Sequence, residues 1–395
     1  MTRTASPQPK AGLVVQPIDD EAVVYDPEAD KLHHLEPTAT AVWTRLARGR
    51  PLSSVAGAVA AAYGADPDAV HADILTLTGT FYDRGLLDGS ATTRSASRAY
   101  TEAPLGLGFD NAQPLPPASL LTRPFRGLEH SFAVTTNDPS VRAYLDEVLT
   151  DLAYPPRADA TRYEFLVVDQ DHYVVRQNGQ VVLATGRLDR AVTALLWHIN
   201  AEAIRRTTLI QPVVHAAAAV KDGATILLPA PPNGGKTTTV AGLVASGFTY
   251  LTDEAVAIDP TTLLPSPYPK PMSIGRGSWE VLSALHPSRS LITEPWLVPA
   301  TSIRPDAIAG PAPIRVVIEP AYDPAAATRL ESVSPAAMLV RLADSTFNFP
   351  DEPERNLKVL AEVVMRADCY RLAISDLDEA VKLVTNAIAP GRRRR

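Results

Sequence analysis

ATILLPAPPNGGKTTTVAGL, residues 224–243, is the stretch from which the rest of the chain is best read. ATILLPA (224–230) is an unbroken apolar run bounded by Pro, Asn and Gly, which predicts a buried strand. The residues from Lys236 onward predict a helix over 236–246 that stops at Gly247. A strand, a glycine loop and a helix opening on Lys-Thr form a phosphate-binding arrangement. Backbone N–H groups and the helix dipole hold phosphate oxygens, Lys236 bridges them, and Thr237 ligates Mg²⁺ with Thr238 beside it. Asn233, Gly234 and Gly235 tolerate the positive φ values such a nest needs. The strict pattern asks for glycine six residues before the lysine, where this chain has Ala230.

Two features flank the loop. Asp253-Glu254 lies 17 positions beyond Lys236, in FTYLTDEAVAID (248–259), a strand or strand pair. Paired carboxylates can divide the two tasks of phosphoryl transfer, one holding metal and the other taking a proton from an acceptor hydroxyl. His215, in VVHAAAAV (213–220), precedes the strand that feeds the loop. Such a histidine is either a core residue or a group near the terminal phosphate, and the residues leave both open.

Around this centre the pattern is α/β. Strands are expected at 131–136, 163–168, 172–176 and 180–184, with helices at 139–152 and 188–206; strands IRVVIEP and YRLAI and helices at 335–343, 353–366 and 376–388 complete the chain. Toward the N-terminus, LVVQPI, AVVYD and KLHHLE form a β-ribbon, followed by helices opening at Pro37, Ser53 and Asp66-Pro67. The expected domains are a loose tail at 1–12, a first domain at 13–88, a linker and lead-in at 89–126 (residues 89–107 rich in Ser, Thr, Ala and Gly), a second domain at 127–390 and a basic tail at 391–395.

Composition excludes several classes. With 395 residues, 46% apolar and 21% charged, the chain can bury full cores and is not wholly disordered. One cysteine, Cys369, excludes an internal disulfide framework and any multi-cysteine zinc site. No apolar run would span a bilayer and the N-terminus lacks a signal-peptide core, so a soluble cytoplasmic protein without a membrane partner is expected. Residues 13–88 hold 12 acidic and 5 basic residues, leaving 32 of each sign elsewhere. That acidic excess argues against a nucleic-acid partner.

The run from His215 through the loop to Asp253-Glu254 resembles the HPr kinase/phosphorylase-like family, and PYPKPMSI (267–274) is similar to a Pro-rich segment of its relatives. The resemblance spans 127–390. It implies an ATP- and Mg²⁺-dependent kinase in which Lys236 and Thr237 bind phosphate and metal, Asp253 is the base, Glu254 a metal ligand and His215 a phosphate-proximal helper. Such relatives are often oligomeric, so a homo-oligomer is admitted without a stoichiometry. Glu254 stands where founding members carry a second Asp, and the signature that engages HPr is missing. Arg276, in IGRG, is either a phosphate clamp or an ordinary loop arginine.

The string from Leu32 to Leu87 is similar to the PqqD-like family of peptide-recognition modules, with Leu35, Ala41-Val42-Trp43 and Arg84-Gly85-Leu86-Leu87 carrying the match. That resemblance implies a winged-helix-like domain that captures a leader peptide as an added strand, near strands 22–26 and 31–35 and the third helix. The expected fold class is therefore α/β (α+β overall), a winged-helix-like N-terminal domain plus a P-loop, HPr kinase-like, mixed-sheet domain. The joint expectation is a kinase acting on a Ser or Thr hydroxyl of a ribosomally made precursor peptide, tethered by its leader. Alternatives are a nucleotide-gated peptide-presenting chaperone, a small-molecule kinase, and a DNA-binding regulator, which the local charge opposes. The donor, whether ATP, GTP or pyrophosphate, stays open.

Overall fold

The computed structural model describes residues 7–88, 115–169, 171–287 and 290–389. The expected linker at 89–107, the start of the N-terminal tail and the basic tail at 391–395 lie outside the described residues. The chain forms two compact units. One joins Met1–Arg98 with Val333–Asp344 and Asn348–Met365; the other joins Ala99–Ser332 with Ser345–Phe347 and Arg366–Arg395.

In the first unit, strands Val14–Ile18, Glu21–Asp26 and Lys31–Leu35 form an antiparallel meander. Helices Pro37–Leu46, Leu52–Tyr63 and Pro67–Asp83 follow, the last capped by Asp66, whose side chain accepts from the Asp68 amide. Alternation along a strand sends successive side chains to opposite faces. Ala22, Val24 and Leu35 therefore join one core with Val42, Trp43, Leu46 and Phe81. Val23 and Tyr25 point the other way, yet they are as buried as Val24. Their cover comes from the far end of the chain: Phe349 meets the Tyr25 ring edge-on at 4.9 Å, and helix Pro335–Asp344 packs along the second and third strands.

Chain continuity assigns 335–343 and 353–366 to the 127–390 domain. The structure instead groups 333–344 and 348–365 with the first unit, because a sheet with two apolar faces needs two covers. The described part of the expected loose tail is also tied down. The Lys10 amide donates to Leu86 O at 2.9 Å, and its ammonium pairs with Asp26 at 2.9 Å.

The second unit holds two six-stranded sheets. One is built from Leu120–Leu121, His130–Thr136, Thr161–Asp169, His172–Gln177 and Gln180–Thr185, with Phe125–Gly127 paired to the second of these. The lead-in at 115–126 thus contributes strands rather than irregular chain. Helices Pro139–Val148 and Leu188–Thr208 share this sheet's core. The other sheet runs in the order Thr249–Thr252, Ala216–Lys221, Ala224–Pro229, Ile314–Tyr322, Asp368–Ile374, Arg329–Ser332. Its three central strands, Ala224–Pro229, Ile314–Tyr322 and Asp368–Ile374, are parallel. Ala216–Lys221 and Arg329–Ser332 pair antiparallel to them, and Thr249–Thr252 pairs antiparallel to Ala216–Lys221 and so runs in the central direction. Helices Lys236–Ala245 and Leu377–Ile388 pack together in its core. The mixed α/β class is therefore as expected.

The segment 213–220 is split into two strands, and 248–259 is a strand pair, the second of its two expected forms. Val213–Val214 and Val256–Ile258 belong with Pro265–Ser266 to a small antiparallel sheet, while Ala216–Lys221 and Thr249–Thr252 belong to the large one. His215 lies at the first break and Asp253-Glu254 at the second, so both crossings between sheets carry polar side chains.

Candidate active site

The strand Ala224–Pro229 ends in a loop that turns into helix Lys236–Ala245. Asn233 and Gly235 adopt φ values of 64° and 88°. Ala230 is absent from the positive-φ residues, so its departure from glycine costs the backbone nothing. The steric demand falls on Gly234 instead, where a Cβ would lie 2.8 Å from the Ala230 Cβ and 3.1 Å from Pro231 O.

Lys236 is buried, and its ammonium donates to Ala230 O at 2.7 Å and Pro231 O at 3.0 Å. Burial lowers its pKa to about 8, against the pull of the Glu254 and Asp253 carboxylates. Thr237 donates its hydroxyl proton to Asp253 Oδ2 at 3.0 Å. The Thr238 and Ser278 hydroxyls are 2.6 Å apart. The buried Thr239 hydroxyl has no hydrogen-bond partner in the structure.

Asp253 is saturated with donors. Oδ1 accepts from Tyr250 at 2.9 Å and pairs with Lys270 Nζ at 2.6 Å; Oδ2 accepts from Thr237 and from the Ser273 amide at 3.4 Å. Burial alone would raise its pKa, but the Lys270 charge and the hydrogen bonds hold it below the usual carboxylate value. Glu254 behaves oppositely. Burial raises its pKa, the Lys270 ammonium stands 3.9 Å from Oε2, and the His215 Nε2 lies 3.7 Å from Oε1. Its side chain remains 28% exposed, so it is the carboxylate of the pair that an incoming group can reach.

The His215 amide donates to Ser345 O at 2.7 Å, and its ring leans on Phe347 with centroids 5.4 Å apart. Burial, reinforced by Lys236, lowers its pKa to about 4, so it is neutral near pH 7. The structure thus gathers Lys236, Thr237, Asp253, Glu254 and His215 at one end of the large sheet, with Asn233, Gly234, Gly235 and Thr238 forming the loop and first turn. Arg276 pairs with Glu294 at 3.1 Å and lies over the Trp279 ring at 5.3 Å, with its side chain 74% exposed. Sequence reasoning missed Lys270 and Tyr250. The only signal for Lys270 was its place in PYPKPMSI, a lysine between two prolines.

A Mg²⁺ ion with nucleotide phosphates fits this donor set. Thr237 gives its proton to Asp253 and so keeps its lone pairs for a metal. Among the described residues no cluster of three or more His, Cys, Asp or Glu side chains could hold a metal by itself. No helix among them is long and apolar enough to cross a membrane.

Comparison with known proteins matches residues 21–87 to the family described as Coenzyme PQQ synthesis protein D (PqqD), so the first unit carries a PqqD-type domain. One similar solved structure is titled "TbiB1 in Complex with the TbiA(beta) Leader Peptide". It is 24% identical over 21% of this chain and 98% of its own, with a TM-score of 0.21. Another is the Hpr(Ser) kinase/phosphatase from Coxiella burnetii, 13% identical over 44% of this chain and 94% of its own, with a TM-score of 0.24. No curated protein matches the chain.

Proposed function

We propose that the chain is an ATP- and Mg²⁺-dependent kinase that phosphorylates a Ser or Thr hydroxyl of a ribosomally made precursor peptide, whose leader is captured by the PqqD-type domain. The observation that carries this reading is the Thr237–Asp253–Lys270–Glu254 cluster beside a phosphate-type loop. Thr237, oriented by Asp253, would hold Mg²⁺, which neutralises phosphate charge when bound. The loop amides and Lys236 would take the phosphate oxygens once the Lys236 ammonium leaves the loop carbonyls.

The two carboxylates divide their work in the opposite sense to the family resemblance. Asp253 spends both oxygens on four donors and serves the metal side by orienting Thr237. Glu254, partly exposed and the weaker acid, is placed to take the proton of the acceptor hydroxyl. Neutral His215 borders Glu254 and leaves that oxygen without a fixed cation. Lys31–Leu35, an edge strand paired on one side only among the described residues, would offer main-chain groups for an added leader strand.

Mass spectrometry of a candidate precursor peptide with Mg-ATP, beside Lys236→Ala, tests this. A one-phosphoryl gain that needs Lys236 supports a peptide kinase. Peptide binding without transfer favours the presenting chaperone, and no peptide binding at all turns the search to small-molecule acceptors.

A further inference from the structure

We infer that Tyr322 is the platform for the base of the donor nucleotide, an assignment that rests on the nucleotide-site reading above. Strand Ile314–Tyr322 runs parallel to the loop-feeding strand, with Ile226 opposite Val316 and Leu227 opposite Val317. Its carboxyl end therefore extends past Pro229 and alongside the loop. The contacts agree: the position a Cβ would take on Gly234 is 3.5 Å from Pro320 O, and that on Gly235 is 3.9 Å from the Tyr322 Cβ.

Sheet order gives the direction. Asp253 and Glu254 follow the strand Thr249–Thr252, two places from the loop strand on one side; Tyr322 ends the neighbouring strand on the other. A nucleotide whose terminal phosphate faces the carboxylates must carry its sugar and base away from them, across the loop, toward Tyr322. Ligands of open sheets lie beyond the carboxyl ends of the strands, where all these groups are found. Tyr322 is 62% exposed. Its backbone is held: Tyr322 pairs with Ile374, and the Asp323 amide donates to Ile374 O at 2.9 Å. A rigidly mounted, solvent-facing aromatic ring beside a phosphate loop suits stacking on a purine.

The test measures Mg-ATP and Mg-tripolyphosphate binding to the full chain by calorimetry. Stacking of a base on an aromatic ring accounts for about a 5- to 100-fold change in affinity. Tyr322→Ala and Tyr322→Leu should each lose that much for ATP and none for tripolyphosphate, while Tyr322→Phe and Tyr322→Trp keep wild-type ATP binding. Lys236→Ala should weaken both ligands. Unchanged ATP affinity in Tyr322→Ala and Tyr322→Leu overturns the inference alone, as does equal loss for both ligands. A wild-type chain that binds neither ligand overturns the nucleotide-site reading and this inference together.

Discussion

The Lys270 ammonium stands 2.6 Å from Asp253 Oδ1, and both side chains are nearly withdrawn from solvent, at 12% and 2% exposure. A charge buried this far needs its partner, because neither water nor a lone hydrogen bond replaces the lost hydration. Lys270→Met should therefore cost about 3–5 kcal/mol, the usual effect of stranding one member of a buried pair. Urea unfolding of the variant measures this, and a loss below about 1 kcal/mol would show that Asp253 is not held as an ion.

Gly234 and Ala230 should be coupled. Gly234→Ala places a methyl group 2.8 Å from the Ala230 Cβ, so the loop must shift and nucleotide affinity should fall at least tenfold. Ala230→Gly removes the first obstacle but leaves Pro231 O at 3.1 Å. The double variant should recover part of the binding and not all of it. Additive losses in a titration of the three variants would contradict the contact.

Acid sensitivity should trace in part to His130. Its ring is fully buried against Tyr163, at 3.1 Å from the hydroxyl, and burial lowers its pKa to about 4 from 6.5. Between these values the unfolded chain binds the extra proton, so stability is intact above pH 6.5 and falls as the pH drops toward 4. The total is roughly 3 kcal/mol. His130→Gln should flatten the pH dependence of unfolding in that window; an unchanged profile would remove His130 as the cause.

Phe349 should matter to the first unit although it lies far along the chain. Phe349→Ala empties a fully buried site against Tyr25 and should cost about 3–5 kcal/mol. Hydrogen exchange would show the loss in amides of Glu21–Asp26. Protection unchanged there would mean that the second face of that sheet has another cover.

Much of this was legible in one dimension. The apolar run at 224–230, the Asn-Gly-Gly turn and Lys236 placed a strand, a loop and a helix start to within a residue, because each signal is local. The same holds for Pro37, Asp66-Pro67 and helix 353–366, whose boundaries follow capping chemistry and an apolar stripe. The partners of Asp253 were not legible. Tyr250 is three residues away, but Lys270 arrives from a chain segment with no periodic pattern, and only the crossing of two sheets brings it into contact.

By itself, then, the sequence determined the longer helices and strands, the phosphate-type loop and the acidic PqqD-like character of the N-terminal residues, all of which rest on neighbours within a few positions. Tertiary structure alone decided that Asp253 is saturated while Glu254 stays reachable, and that Tyr322 lies beside the loop. It also decided that residues 333–344 and 348–365 close the second face of a sheet begun at Val14. Those outcomes depend on which distant surfaces find cover and which buried charges find partners, and strand order settles both.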